Sequence, residues 1–293
     1  MSLRLEMLQV ARLAPAVLGE AAELIESFVR SQQADDGGFV DRDGKSDLYY
    51  TSFAIDCLTA LQVELPEGQL QSYLESFGTG EGLDFVHLCC LARCWSAIAS
   101  DCTEISEILG RLESYRAADG GYNQSPGAEF GSSYGSFLAY GAYSDHGRMP
   151  PEELRILDSL NGLADDDGSW TNDRELPITN VPATGAAVTL LRNLRAPILE
   201  TTGSWILSSV HASGGFLPFP EAPMPDLLST AVALHALDGL QVSFEPHREA
   251  CLDFVDTLWT ADGGFHGNWD DDTLDIEYTY YGLLALGHLS FEG

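Results

Sequence analysis

The chain alternates between two kinds of apolar segment. Stretches such as 20–33, 104–117 and 248–260 place apolar residues three and four apart with charged residues between them, which predicts helices with one face in water. Stretches such as 51–55, 230–234 and 281–286 carry no charged residue, which predicts helices buried on every side. A glycine turn followed by an aromatic residue separates the two kinds. It occurs as Asp36-Gly37-Gly38-Phe39, Asp119-Gly120-Gly121-Tyr122, Asp167-Gly168-Ser169-Trp170, Ser213-Gly214-Gly215-Phe216 and Asp262-Gly263-Gly264-Phe265, with a decayed copy near Gly80-Glu81-Gly82. Each unit reads as outer helix, turn, short loop and inner helix. The inner helices open near Asp47, Asp84, Gly131, Asn180, Asp226 and Asp275, at intervals of roughly 37 to 49 residues.

The local chemistry fits this partition. Glycine admits backbone angles closed to other residues, so it can turn the chain between two helices, and the following aromatic ring can cover the helix ends. Asp47, Asp84, Asp226 and Asp275 stand where a carboxylate would accept hydrogen bonds from the free amides of an inner helix. Six such pairs can stack as an open solenoid or close into a ring of two concentric layers, and the residues alone allow both.

The repeat resembles that of protein prenyltransferase β subunits and squalene cyclases. The features that carry the resemblance are the Gly-Gly-aromatic turn, a gap of about nine residues, and an Asp-x-x-[Tyr/Ser/His]-Thr opening of the hydrophobic helix, seen at Asp47–Thr51, Asp226–Thr230 and Asp275–Thr279. They extend roughly from Glu20 to Leu289. The resemblance implies an all-α fold, one α/α toroid domain (an α6–α6 barrel) of about six helix hairpins spanning residues 1–293. Six units match the β subunit of a protein prenyltransferase better than a two-domain triterpene cyclase. Such a subunit transfers a prenyl group from an isoprenoid diphosphate to a protein cysteine, uses zinc, and works beside a helical-repeat α-type subunit.

Carried over residue by residue, that chemistry loses most of its ligands. The family's zinc is held by Asp and Cys at the start of the fifth inner helix and His at the sixth, where this chain has Asp226, Leu228 and Tyr278. One ligand in three remains, so no zinc and no other cofactor is expected. Ser133 and Pro182 stand where the family places an Arg and a His toward the diphosphate, and the loop 217–224 has no basic residue. A diphosphate buried without cations carries a large desolvation cost. The cyclase acid motif also fails at Asp226–Thr230, where Leu228 and Ser229 replace the acids. Asp270-Asp271-Asp272 and Asp165-Asp166-Asp167 read as solvated acidic loops.

Charge narrows the partners. Against 45 acidic residues there are 14 basic ones, a formal net charge of −31, so nucleic acid and anionic membrane surfaces are poor partners. No run is apolar for the length of a membrane span and no secretory pattern opens the chain, so a cytoplasmic protein is expected. The six cysteines lack paired CxxC spacing and read as buried free thiols. Met1-Ser2-Leu3 and Glu292-Gly293 carry no repeat pattern and have no assigned role.

In a closed toroid the inner-helix openings would ring one mouth of the cavity with Asp47, Tyr49, Tyr50, Asp84, His87, Glu129, Tyr134, Asp226, Asp275, Glu277 and Tyr278. Carboxylates and aromatic rings together suit a cationic or amphipathic ligand. Asp84-Phe85-Val86-His87 copies the family's Asp-x-x-His spacing, so His87 with Asp47 and Tyr49 is a displaced candidate set. Three functions stay open: an isoprenoid transferase, a non-catalytic toroid that binds a hydrophobic or cationic ligand or a protein partner, and a cyclase-like or other enzyme using the acidic mouth.

Overall fold

The computed structural model describes residues 2–98 and 102–290. The six inner helices are α4 (Leu48–Ala60), α6 (Phe85–Ala97), α8 (Ser133–Asp145), α10 (Val181–Asn193), α12 (Leu227–Gly239) and α14 (Ile276–Leu289). The outer helices that precede them are α3 (Ala21–Ser31), α5 (Glu67–Glu75), α7 (Ile105–Leu112), α9 (Leu154–Asn161), α11 (Thr201–Ser208) and α13 (Arg248–Leu258). Each inner helix packs on the next, and α14 packs back on α4, so the ring is closed.

One hydrogen-bond device recurs and explains the Asp-x-x-x-Thr spacing. The first residue is the N-cap: Asp47, Asp84, Asn180, Asp226 and Asp275 each accept from amides in the first turn of their helix. In the third unit the cap is Ser132, one residue later than expected. The hydroxyl four residues on accepts from the amide of the turn's aromatic residue: Thr51 from Phe39, Ser136 from Tyr122, Thr184 from Trp170, Thr230 from Phe216 and Thr279 from Phe265. Each aromatic residue is buried. The second unit lacks both partners, and Leu88 fills the place of the hydroxyl against Gly80.

The glycines set the spacing between units. Gly37, Gly120, Gly168, Gly214 and Gly263 have φ between 91° and 100° or, at Gly214, 84°, and a Cβ at each would strike the following outer helix. For Gly263 that helix is α3 of the first unit, which is the seam of the ring.

Helix α1 (Leu3–Ala11) has no counterpart in the repeat. It packs against α14, α8, α4 and α10 and so plugs the ring at the end opposite the helix caps. Ser2 caps it and Leu3 is 2% exposed, so these opening residues belong to the fold. Arg4 donates to Asp56 at 2.6 Å in the core, and Arg93 also pairs with Asp56. Glu6 accepts from Arg192 at 2.6 Å. Short α2 (Ala14–Leu18) leads to α3, and a two-residue hairpin, β1 (Phe39–Val40) with β2 (Ser46–Asp47), supports the first turn. All six cysteines are free, and all but Cys102 are buried.

Candidate functional site

The six inner-helix caps mark one end of the ring, and the residues two positions after them occupy equivalent places in the six units. In chain order these are Tyr49, Val86, Tyr134, Pro182, Leu228 and Glu277. Tyr134, Pro182 and Leu228 line a central cavity of about 120 Å³, continued inward by Phe137, Gly185, Ala186, Thr189, Val232, His235, Tyr281 and Met7 of the plug. Helical rise makes this wall about 10 Å deep from Leu228 to His235. Asn172, Asn180, Pro182 and Tyr134 form a neck of about 220 Å³ above it, and Asn172 opens into a polar surface cleft of about 620 Å³ with Asn123, Glu129, Phe130 and Arg174. Polar cleft, neck and apolar cavity adjoin one another through shared lining residues, Asn172 between the first two and Tyr134 and Pro182 between the last two.

Glu277 is the one carboxyl group among the residues two positions after the caps. Tyr49 donates its hydroxyl to Glu277 Oε1 at 2.7 Å, and Tyr134 shares a hydrogen bond with Tyr49. Tyr281 stands one helical turn after Glu277 on α14 and lines the central cavity. Burial pushes the Glu277 carboxyl up to about 7, aided by the charge of Asp275 and only partly opposed by the Tyr49 bond. The same burial raises the Tyr49 and Tyr281 hydroxyls well above the usual phenol range, so both stay neutral. The ring of Phe53 bridges Tyr49, at 5.0 Å, and Tyr281, at 5.6 Å.

The remaining mouth residues divide into two clusters. His87 Nε2 meets Asp47 Oδ2 at 2.9 Å and His87 Nδ1 meets Asp84 Oδ1 at 2.8 Å. The Asp47 bond, with help from Asp84, raises His87 to about 9 against the cost of burial, so it is an imidazolium at neutral pH. Both ring nitrogens are therefore committed. In the second cluster Arg42 bonds Asp275 and Asp271 and lies 5.5 Å over the Tyr278 ring, beside Tyr50. Asp271 is thus an ion-pair partner 19% exposed, where a freely solvated loop was expected. Glu129 is exposed in the outer cleft and does not reach the lumen.

The three positions that hold zinc in the resembling family are otherwise engaged. Asp226 spends its carboxylate on the Ser229 amide and hydroxyl, Leu228 forms part of the apolar wall, and Tyr278 packs under Arg42. This donor set does not fit the family's zinc. Among the described residues no three His, Cys, Asp or Glu side chains are grouped to hold a metal ion.

The family model of the prenyltransferase alpha-alpha toroid domain matches residues 16–79 and 183–291. The chain belongs to this family. No curated protein matches it in sequence. Solved structures agree on the fold. A variant of the type II terpene cyclase MstE from Scytonema, in complex with its product merosterolic acid A, superposes with a TM-score of 0.66 at 15% identity, covering 94% of this chain and 97% of that one. Another MstE variant, in complex with its substrate geranylgeranyl dihydroxybenzoate, gives 0.66 at 14% identity with the same coverage. Candida albicans protein geranylgeranyltransferase-I complexed with GGPP gives 0.59 at 14% identity, covering 92% and 90%. No helix among the described residues is long and apolar enough to cross a membrane.

Within this toroid, three contributors to the site escaped the sequence reading. Arg42 sits in a loop without periodicity, so nothing marked it. Tyr281 and His235 were legible in principle, because they follow Glu277 and Leu228 at helical spacing on the same face.

Proposed function

We propose that the chain binds an isoprenoid with a polar head in a channel formed by the cleft, neck and cavity and acts on it as a proton donor through Glu277, in the manner of a cyclase and not of a protein prenyltransferase. The observation that carries this reading is a single carboxyl group raised to about 7 inside a wall of tyrosine and phenylalanine rings. Such a group holds its proton near neutral pH, and the ring faces stabilise positive charge that develops beside them.

The acid strength selects the substrate chemistry. A carboxyl in this range protonates an oxygen, such as that of an epoxide, far more readily than a bare alkene. With Tyr49 donating to Oε1, the other carboxyl oxygen carries the proton. Glu277 transfers it to the epoxide oxygen, and the C–O bond breaks with its electron pair left on that oxygen. An alkene of the same ligand then attacks the tertiary cation to form a C–C bond. Loss of a proton from the new cation to the Glu277 carboxylate completes an isomerisation and restores the acid.

Family membership and the isoprenoid ligands of the MstE and geranylgeranyltransferase structures support an isoprenoid ligand. The replacement of the zinc donors, and the lack of Arg or Lys among the residues lining the central cavity, oppose transfer from a diphosphate. The test is incubation with a terminal epoxide of a prenyl alcohol, read by mass spectrometry and NMR for an isomeric cyclic product. Glu277→Gln should bind the epoxide and yield no product. Equal binding without turnover in both proteins would leave a binding toroid, and no binding would end the isoprenoid reading.

A further inference from the structure

A histidine at the inner end of the cavity carries a buried nitrogen that no described residue hydrogen-bonds. His235 is 4% exposed and lines the cavity three helical positions below Val232. Its Nδ1 lies 3.1 Å from His288 Nε2, a second buried histidine. Its Nε2 is buried without a hydrogen-bond partner. Glu6 Oε1 is 3.8 Å away and already takes a bond from Arg192 at 2.6 Å. Thr189, beside it on α10, spends its hydroxyl proton on the Gly185 carbonyl and keeps acceptor capacity. The rest of the inner wall is Met7, Phe137, Val232 and Tyr281, so a purely hydrocarbon ligand would leave the His235 nitrogen unpaired.

We infer that the base of the channel is a hydrogen-bonding subsite and that His235 selects ligands whose far end carries a hydroxyl group. This rests on the isoprenoid reading of the channel and adds to it a second polar end. The choice of a hydroxyl follows from the histidine pair. If His235 Nδ1 donates to His288, Nε2 is an acceptor and takes the ligand's O–H. If His288 Nε2 donates instead, His235 Nε2 carries the proton and needs an oxygen. A hydroxyl answers both tautomers, whereas a ketone or ether answers only the second. Burial holds both histidines below the usual imidazole range, so the pair is neutral at pH 7 and a carboxylate end gains no ion pair here. The wall depth of about 10 Å fits roughly two isoprene units between the Glu277 level and His235.

The test compares geraniol with its ω-hydroxylated counterpart by isothermal titration. Wild-type protein should bind the ω-hydroxylated compound at least tenfold more tightly, and His235→Leu should remove or reverse that preference. His235→Gln, which keeps a donor and an acceptor, should retain part of it, and circular dichroism of each variant checks that the fold is kept. The wild-type ratio alone decides the matter even if both variants fail to fold. Equal affinities in the wild type, as expected if only water occupies the base, overturn the subsite and leave the isoprenoid reading standing. Failure of both alcohols to bind overturns the two together.

Discussion

Replacing Gly263 with alanine tests the closure of the ring. The residue lies in the sixth turn with φ +91, and a Cβ there would stand 2.6 Å from the carbonyl carbon of Leu24 and 3.1 Å from Phe28 Cβ, both on α3 of the first unit. Two costs add. Left-handed backbone costs an alanine about 1–2 kcal/mol. Forcing a methyl group into a packed backbone contact costs about 1–3 kcal/mol more, because the helix must move. Gly44 is the control: its φ is +77 and a Cβ there meets nothing within 4 Å, so Gly44→Ala bears the first cost only. The gain from a stiffer unfolded chain is common to both and cancels. Urea denaturation should therefore show Gly263→Ala about 1–3 kcal/mol less stable than Gly44→Ala, within the range a domain can lose and still fold. In an open solenoid the sixth turn has no first-unit helix to strike. Equal losses for the two variants would refute the seam.

Other outcomes follow from single contacts. Thr230→Val removes the acceptor of the buried Phe216 amide and should cost about 1–3 kcal/mol in urea, while Thr230→Ser, which keeps the oxygen, should cost less. Asp56→Asn leaves Arg4 and Arg93 facing a neutral amide in the core; a loss of about 3–5 kcal/mol is expected, with faster limited proteolysis of α1. For pH, His87 has a folded value of about 9 against 6.5, so its contribution to stability is complete below pH 6.5 and lost as pH rises through 9. His87→Phe should flatten that limb of the urea midpoint plotted against pH. Glu277, raised from 4.5 to about 7, likewise contributes below pH 4.5 and loses that contribution by pH 7, and product formation should fall as pH rises through 7.

What could be read from the residues was local. The glycine turns and caps are chemically specified within about fifteen residues, and the caps fell where the Asp and Asn residues stood, with Ser132 replacing Gly131 by one position. Closure could not be read that way, since it depends on Gly263 meeting Leu24, residues from opposite ends of the repeat. The plug was passed over for a different reason. Leu3, Met7, Leu8 and Ala11 form a buried helical stripe, but the segment precedes the repeat and carries a buried Arg4 that reads as a surface charge until Asp56 is seen beside it. In the candidate site, repeat register put His87 near Asp47 and Asp84, and each carboxylate meets one ring nitrogen, while Tyr49 bonds Glu277 instead. The weight of Glu277 came from burial, which no spacing reveals.

The acidity of the mouth therefore means something other than its count of carboxylates suggests. Asp47, Asp84, Asp226 and Asp275 accept backbone amides, and three of them also meet His87 or Arg42, so their charge is largely spent inside the protein. In the proposed reading a ligand would meet the residues that follow the caps, where tyrosines, a valine, a proline and a leucine accompany the single carboxyl group of Glu277. In such low-polarity surroundings a lone carboxyl favours its neutral form, and its proton is the most transferable one in the wall. The leucine that removes a zinc ligand is the same residue that keeps this layer dry. On the reading proposed above, the apolar Leu228 side chain and the buried Glu277 carboxyl belong to one low-polarity end of the ring, and Leu228→Cys would make that lining more polar.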